Sequence, residues 1–254
     1  MLTRQTYSYT EALGRSPTDA QMGTIKISRA IVHIRVHQYT AALNDIDTAP
    51  PADELVEKAL CCKAEALYGL GRYRKCCEVL KEVGLKFPSN TPSTARLGDA
   101  VKRLIEQDRG KFNFTAMRNA AAIVRPLRLD FATFVGPVEV GPVTGKRRGV
   151  FTTKSVKAGE LLLCEKAFAF CMITAADEPV IRTDAETQRT VPNAAIKLIN
   201  VISDKLHHDG SQASVIADMH SGSYRRSEVF EVDGAPVVDR YVLFPWHRLS
   251  ITRC

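Results

Sequence analysis

Several things are scarce in this chain, and each scarcity excludes something. No apolar run approaches the ~20 residues that a membrane-spanning helix needs. The N-terminus, Met1-Leu2-Thr3-Arg4-Gln5-Thr6-Tyr7, has no apolar core segment, so no secretory signal is expected. The seven cysteines form no Cys-x-x-Cys pair, and no histidine pair sits at ligand spacing from them. The doublets Cys61-Cys62 and Cys76-Cys77 therefore do not read as zinc ligands. An odd number of cysteines reads as reduced, mostly buried thiols in an intracellular protein, cytoplasmic or nuclear. The net charge is +7, with no long basic tract interleaved with aromatics. Nucleic acid is thus not an expected partner, whereas a mild attraction for acidic surfaces is. With 45% hydrophobic and 25% charged residues in 254, the chain can bury a core.

Residues 1–22 mix Thr, Ser, Tyr and charges without clear periodicity and read as a leader. From Gly23 the pattern is helical: Ile27, Ala30, Ile31 and Ile34, then Tyr39, Ala42 and Ile46, up to Pro50-Pro51, which stops the run. A second run holds Leu60, Ala64, Leu67 and Tyr68, then Gly71, then Tyr73, Cys76, Leu80 and Val83, up to Pro88. Each run reads as two helices with a short break. Ala30 and Ala64, Tyr39 and Tyr73, Ala42 and Cys76, and Ile46 and Leu80 each lie 34 residues apart. Small residues let paired helices approach, and the aromatic fills the space beside them.

That period and those residues resemble the tetratricopeptide (TPR) repeat. The resemblance implies antiparallel helical hairpins stacked over residues 23–109, with a capping helix near Thr94 to Gln107, and a groove for a protein or peptide partner. Some such domains hold acidic C-termini in a clamp of Lys, Asn and Arg. Here Lys58 and Arg29 stand at clamp positions, but Ser28 replaces the Asn and Cys62 the Arg. Docking through that clamp is not expected, and Lys58 and Arg29 read as a solvated helix face.

Residues 110–133 read as a linker, with weak periodicity from Arg118 to Leu129. Phe134-Val135-Gly136-Pro137-Val138-Glu139-Val140 reads as one strand in period two, leading into the glycine-bearing stretch Gly145 to Phe170. Val150, Phe151, Thr152 and Thr153 suit a strand. Gly159 can close a turn at positive φ, and Leu161 to Leu163 is a continuous apolar run. Read locally, the two apolar segments form a β-hairpin, and Val150–Thr153 should contact Leu161–Cys164 in a sheet.

Gly145, Gly149, Val150, Phe151, Gly159, Glu160, Leu161 and Leu162 together resemble the opening of a SET domain, the fold of most protein-lysine methyltransferases. The resemblance implies that the backbone of Gly145, Lys146, Arg147, Arg148, Gly149, Val150 and Phe151 contributes to an S-adenosylmethionine site. Arg147 stands where the family carries its middle glycine. The order of helical repeats followed by SET-like strands resembles a group of fungal-type TPR–SET proteins.

Beyond Phe170, Ala175 to Pro192 reads as a polar loop and Asn193 to Leu206 as an amphipathic helix, with Val215 to Met219 a short apolar segment. Val232 to Asp239 reads as a turn between two strands. The helical insert resembles the one that splits the SET sheet, without the cysteine ladder of a MYND zinc module, so no metal is implied. The family also needs an Asn-His-Ser-Cys segment and an acidic segment bearing a catalytic tyrosine. No Asn-His pair occurs in the chain, and Tyr224 and Tyr241 lie in other contexts. His207-His208 reads as an exposed pair at a helix end. The pattern departs from the family near Arg240, as a C-terminally truncated SET domain would.

The expected fold class is α+β: all-α TPR hairpins, then a partial, mostly-β SET domain over residues 134–254 with a helical insert. The expected function is a SET protein-lysine methyltransferase by resemblance, using S-adenosylmethionine, with the repeats binding protein. No catalytic residue is assigned, and the chain as written is expected to be inactive. The alternatives are a non-catalytic TPR interaction module and an unrelated α+β domain in which the hairpin is coincidence, the latter marked by absence of sheet contact between Val150–Thr153 and Leu161–Cys164.

Overall fold

The computed structural model describes residues 2–15, 17–123, 129–143, 146–174, 182–183, 190–191, 193–208, 230–232 and 235–243. The fold is α+β, and the chain divides into two compact units, Met1–Arg109 and Gly110–Cys254.

The first unit is helical. Its elements are α1 (Leu2–Gly14), α2 (Asp19–Arg35), α3 (Tyr39–Asp47), α4 (Val56–Gly69), α5 (Tyr73–Lys86) and α6 (Thr91–Arg109). Residues 1–22, read as a leader, contain α1, which packs against α2. The helical run expected from Gly23 begins at Asp19. Thr18 caps it: its hydroxyl accepts from Gln21 N–H, and the Gln21 side chain accepts from Thr18 N–H.

The 34-residue period is visible in the backbone. α2 and α4 both end in a residue at positive φ, His37 at 62° and Gly71 at 70°. Gln38 N–H donates to His33 C=O and Arg72 N–H to Leu67 C=O, the long bond of a Schellman turn. Burial repeats in the same way. Ala30 and Ala64 are buried in the first helices of the two hairpins, Ala42 and Cys76 in the second. Cys76 Sγ–H donates to Ala64 C=O at 3.3 Å, so the small residues meet across the α4–α5 hairpin. These residues form one core with Leu43, Leu67, Leu80 and Ala100, the last supplied by α6.

The second unit carries the strands. The stretch expected to be a linker holds a helix, α7 (Phe114–Ile123). The strand expected over residues 134–140 is two strands, β1 (Phe134–Val135) and β2 (Val138–Val143). Pro137 has no N–H to give to a ladder and breaks the run. β3 (Lys146–Thr152) pairs antiparallel with β2, and β4 (Leu163–Cys164) pairs antiparallel with β1. β5 (Ala169–Thr174), β9 (Ala235–Leu243) and β8 (Phe230–Val232) form a three-stranded antiparallel sheet in the order β5-β9-β8. β8 and β9 bracket the expected turn, of which residues 233 and 234 lie outside the described residues. Ala175 to Pro192, expected to be a loop, contains a small ladder of β6 (Arg182–Thr183) with β7 (Thr190–Val191). α8 (Asn193–His208) covers β5, with Leu198 fully buried. Lys205 extends from α8 to the C=O of Phe168 and lies over its ring. Val215 to Met219 and Tyr224 lie outside the described residues, as do the side chains of His207 and His208.

Candidate functional site

The residues expected to line a cofactor site fall on the β2–β3 hairpin. Gly145 lies outside the described residues. Lys146, Arg147 and Arg148 are in β3 by their backbone, followed by Gly149, Val150 and Phe151. Val140 faces Val150, and Glu139 faces Phe151. Gly141 and Gly149 stand directly opposite each other. Because partners across a ladder share a face, Glu139, Gly141, Gly149 and Phe151 form one surface. A Cβ added at Gly141 would lie 3.3 Å from the Phe151 ring, so the ring leans over bare backbone. Phe151 remains 45% exposed and Val150, on the other face, 39%. Among the described residues β3 has no strand neighbour other than β2. The hairpin thus combines a glycine floor with a half-open aromatic ring.

The sheet contact expected between Val150–Thr153 and Leu161–Cys164 does not form, which is the outcome expected of an unrelated α+β domain whose hairpin matches the SET opening by coincidence. Each stretch pairs instead with a different part of the Phe134–Val143 segment. Thr153 N–H donates to Pro137 C=O, and Gly136 N–H donates to Leu162 C=O, so the two ladders meet at Gly136-Pro137. The turn between them does close at Gly159, with φ at 83°. Glu160 accepts from Lys157 N–H at 3.1 Å, and its own N–H donates to Lys157 C=O at 3.0 Å. Gly141 was not anticipated as part of this site. Its signal is its place in Val140-Gly141-Pro142-Val143, where a glycine interrupts a β-branched run beside the glycine-bearing loop.

Arg29, expected to be solvated, is not. Its guanidinium makes a bidentate pair with the buried carboxylate of Asp45, at 2.8 and 2.5 Å. That hydrogen bonding holds the Arg29 pKa above its ordinary value. His33 Nε2 lies 3.7 Å from the same carboxylate, and Arg29 also donates to Thr10 of α1. Lys58 is exposed, as expected, and Cys62 is buried. Arg96 of α6 is likewise paired, with Glu65 of α4 at 2.6 and 2.9 Å.

Cys61, Cys62, Cys76, Cys77 and Cys164 are free thiols. Burial pushes Cys62 up to about 11 and Cys76 up to about 12, so neither is a nucleophile at neutral pH. Among the described residues no three His, Cys, Asp or Glu side chains come together as a metal site. No described helix is long and apolar enough to cross a membrane. An open crevice of about 540 Å³ lies between α1 and α2, lined by Ala12, Arg15, Pro17, Ala20, Gln21, Thr24 and Ile25. It is remote in sequence from the hairpin and holds no cluster of titratable groups.

Comparison with known proteins adds one relationship. The chain is 34% identical over 242 residues to a curated Gibberella zeae protein named "Methyltransferase". The match takes in 93% of this chain and 33% of the relative, so the chain spans about a third of the length of the protein it resembles. No family model matches, and no solved structure matches. The chain is thus similar, over nearly its whole length, to part of a methyltransferase.

Proposed function

We propose that this chain is the repeat-bearing and cofactor-side portion of a SET-type protein-lysine methyltransferase. The observation that carries this is the 34% identity to a methyltransferase over 93% of the chain. The β2–β3 hairpin, with Gly141 opposite Gly149, supports this reading because it offers bare backbone beside the motif residues. In this reading Lys146 to Phe151, with Gly145 before them, hold S-adenosylmethionine through main-chain contacts, and the cofactor supplies the methyl group. The helical repeats are TPR units that bring a protein or peptide substrate.

Methyl transfer to a neutral amine needs positioning and desolvation more than a strong base. The residues that would position the amine belong to the Asn-His-Ser-Cys and tyrosine segments, which these 254 residues do not contain. The 254-residue chain accordingly binds cofactor without turning over. Calorimetric titration with S-adenosylmethionine tests this. Saturable binding that is lost in Gly149→Trp is the expected result. Absence of binding by a folded wild-type chain overturns it and favours an interaction module alone.

A further inference from the structure

The β2–β3 hairpin has two unlike faces. On one, Val138 is buried opposite Thr152, and Val140 stands opposite Val150. The other carries Glu139 opposite Phe151 and Gly141 opposite Gly149. Glu139 is exposed and Phe151 half-exposed. This second face therefore holds one carboxylate, one aromatic ring and, in the next row, two residues without side chains. Residues directly opposite in an antiparallel ladder have Cβ atoms about 5 Å apart. The Phe151 ring is backed by the main chain of Gly141, where a Cβ would lie 3.3 Å from it. Its exposed side is within reach of the Glu139 carboxylate.

An aromatic ring attracts a cation through the negative potential of its face, and a carboxylate adds a full charge. Together they favour a cation over a neutral ligand of the same shape. An alkylated cation suits such a pair better than an ammonium, because an ammonium is compact and strongly hydrated and brings no carbon to the ring. The glycine pair leaves space for the substituents that an alkylated cation carries. A sulfonium, with three carbon substituents on a charged sulfur, meets that description.

We propose that Glu139 and Phe151 recognise the sulfonium charge of S-adenosylmethionine and so select the methyl donor over its uncharged thioether product. The proposal rests on the cofactor reading of this hairpin and adds a selectivity to it, since bare backbone meets donor and product alike. It also supplies a route to product release. In methyl transfer the S–C bonding pair stays on sulfur, and the neutral amine that gains the methyl group becomes the cation. The attraction of Glu139 and Phe151 for the bound molecule is then lost.

Calorimetry on the 254-residue chain with S-adenosylmethionine, and separately with S-adenosylhomocysteine, tests this. The two share the adenosine, ammonium and carboxylate groups and differ in the charged methylsulfonium. Wild type should bind the methyl donor about fivefold more tightly or better. In Glu139→Gln and in Phe151→Leu that ratio should fall by about threefold or more, while S-adenosylhomocysteine binds within about twofold of wild type. A wild-type ratio near unity, or variants that weaken both ligands alike, overturns the proposal and leaves the cofactor reading standing. Failure of the folded wild type to bind either ligand overturns both.

Discussion

His37 and Gly71 hold the same left-handed turn in two successive hairpins, at φ 62° and 70°. An L-residue there costs roughly 1 kcal/mol more than glycine. Gly71→Ala should therefore destabilise by about 1–2 kcal/mol in urea unfolding. The nearest atom to its new Cβ is 3.9 Å away, so the loss is one of backbone alone. His37→Gly should gain less than this, because it gives up the 2.7 Å hydrogen bond between His37 Nδ1 and the Tyr39 hydroxyl. Asp45 is a different case. Removing the carboxylate leaves Arg29 with a side chain only 17% exposed and no bidentate partner. Asp45→Ala should cost about 3 kcal/mol, and the double change Asp45→Leu with Arg29→Met markedly less. The buried thiols add a pH dependence. Cys62 and Cys76 release protons at about 11 and about 12 in the folded chain, above their ordinary value of 9.0. The unfolded chain thus binds fewer protons above pH 9, and stability falls as pH rises from there towards 12. Below pH 9 the contribution is complete. Urea midpoints at pH 8 and pH 10 should differ less in a Cys62→Ala, Cys76→Ala double variant than in the wild type.

The elements were legible wherever one face carried a regular period. The two hairpins of the helical unit follow from residues 34 apart, because the small and aromatic positions that set the period are those the core buries. α1 was not legible, since Gln5 stands where α3 and α5 carry an aromatic. α7 was hidden for a related reason: its residues 119–122, Asn-Ala-Ala-Ala, carry little apolar contrast. Strand pairing was misread because apolar alternation fixes which face is buried but not which strand is the neighbour. The deciding feature is Gly136-Pro137. A Cβ at Gly136 would sit 3.0 Å from Leu162 C=O and 3.1 Å from Leu161 C=O, so the two backbones touch there. Gly136→Ala should push β4 away from β1, with the amides of Leu163 and Cys164 losing protection from hydrogen exchange while those of α4 and α5 keep theirs. The buried pair of Arg29 and Asp45 was likewise invisible in one dimension. Sixteen residues separate them, and nothing local marks Asp45 as an inward carboxylate.

At the scale of the whole molecule, a helical repeat unit precedes a strand-bearing unit, with the division between Arg109 and Gly110. Similarity to a methyltransferase runs through both, over 93% of the chain. The candidate site occupies one hairpin of the second unit; the sequence motif named Gly149 but not Gly141, which joins it only through register across the ladder. Hydrogen exchange across β3, with and without S-adenosylmethionine, tests the central claim most directly. Cofactor should slow exchange at the amides of Lys146 to Thr152 and leave those of α4 and α5 unchanged. Identical exchange in β3 at saturating cofactor would contradict it.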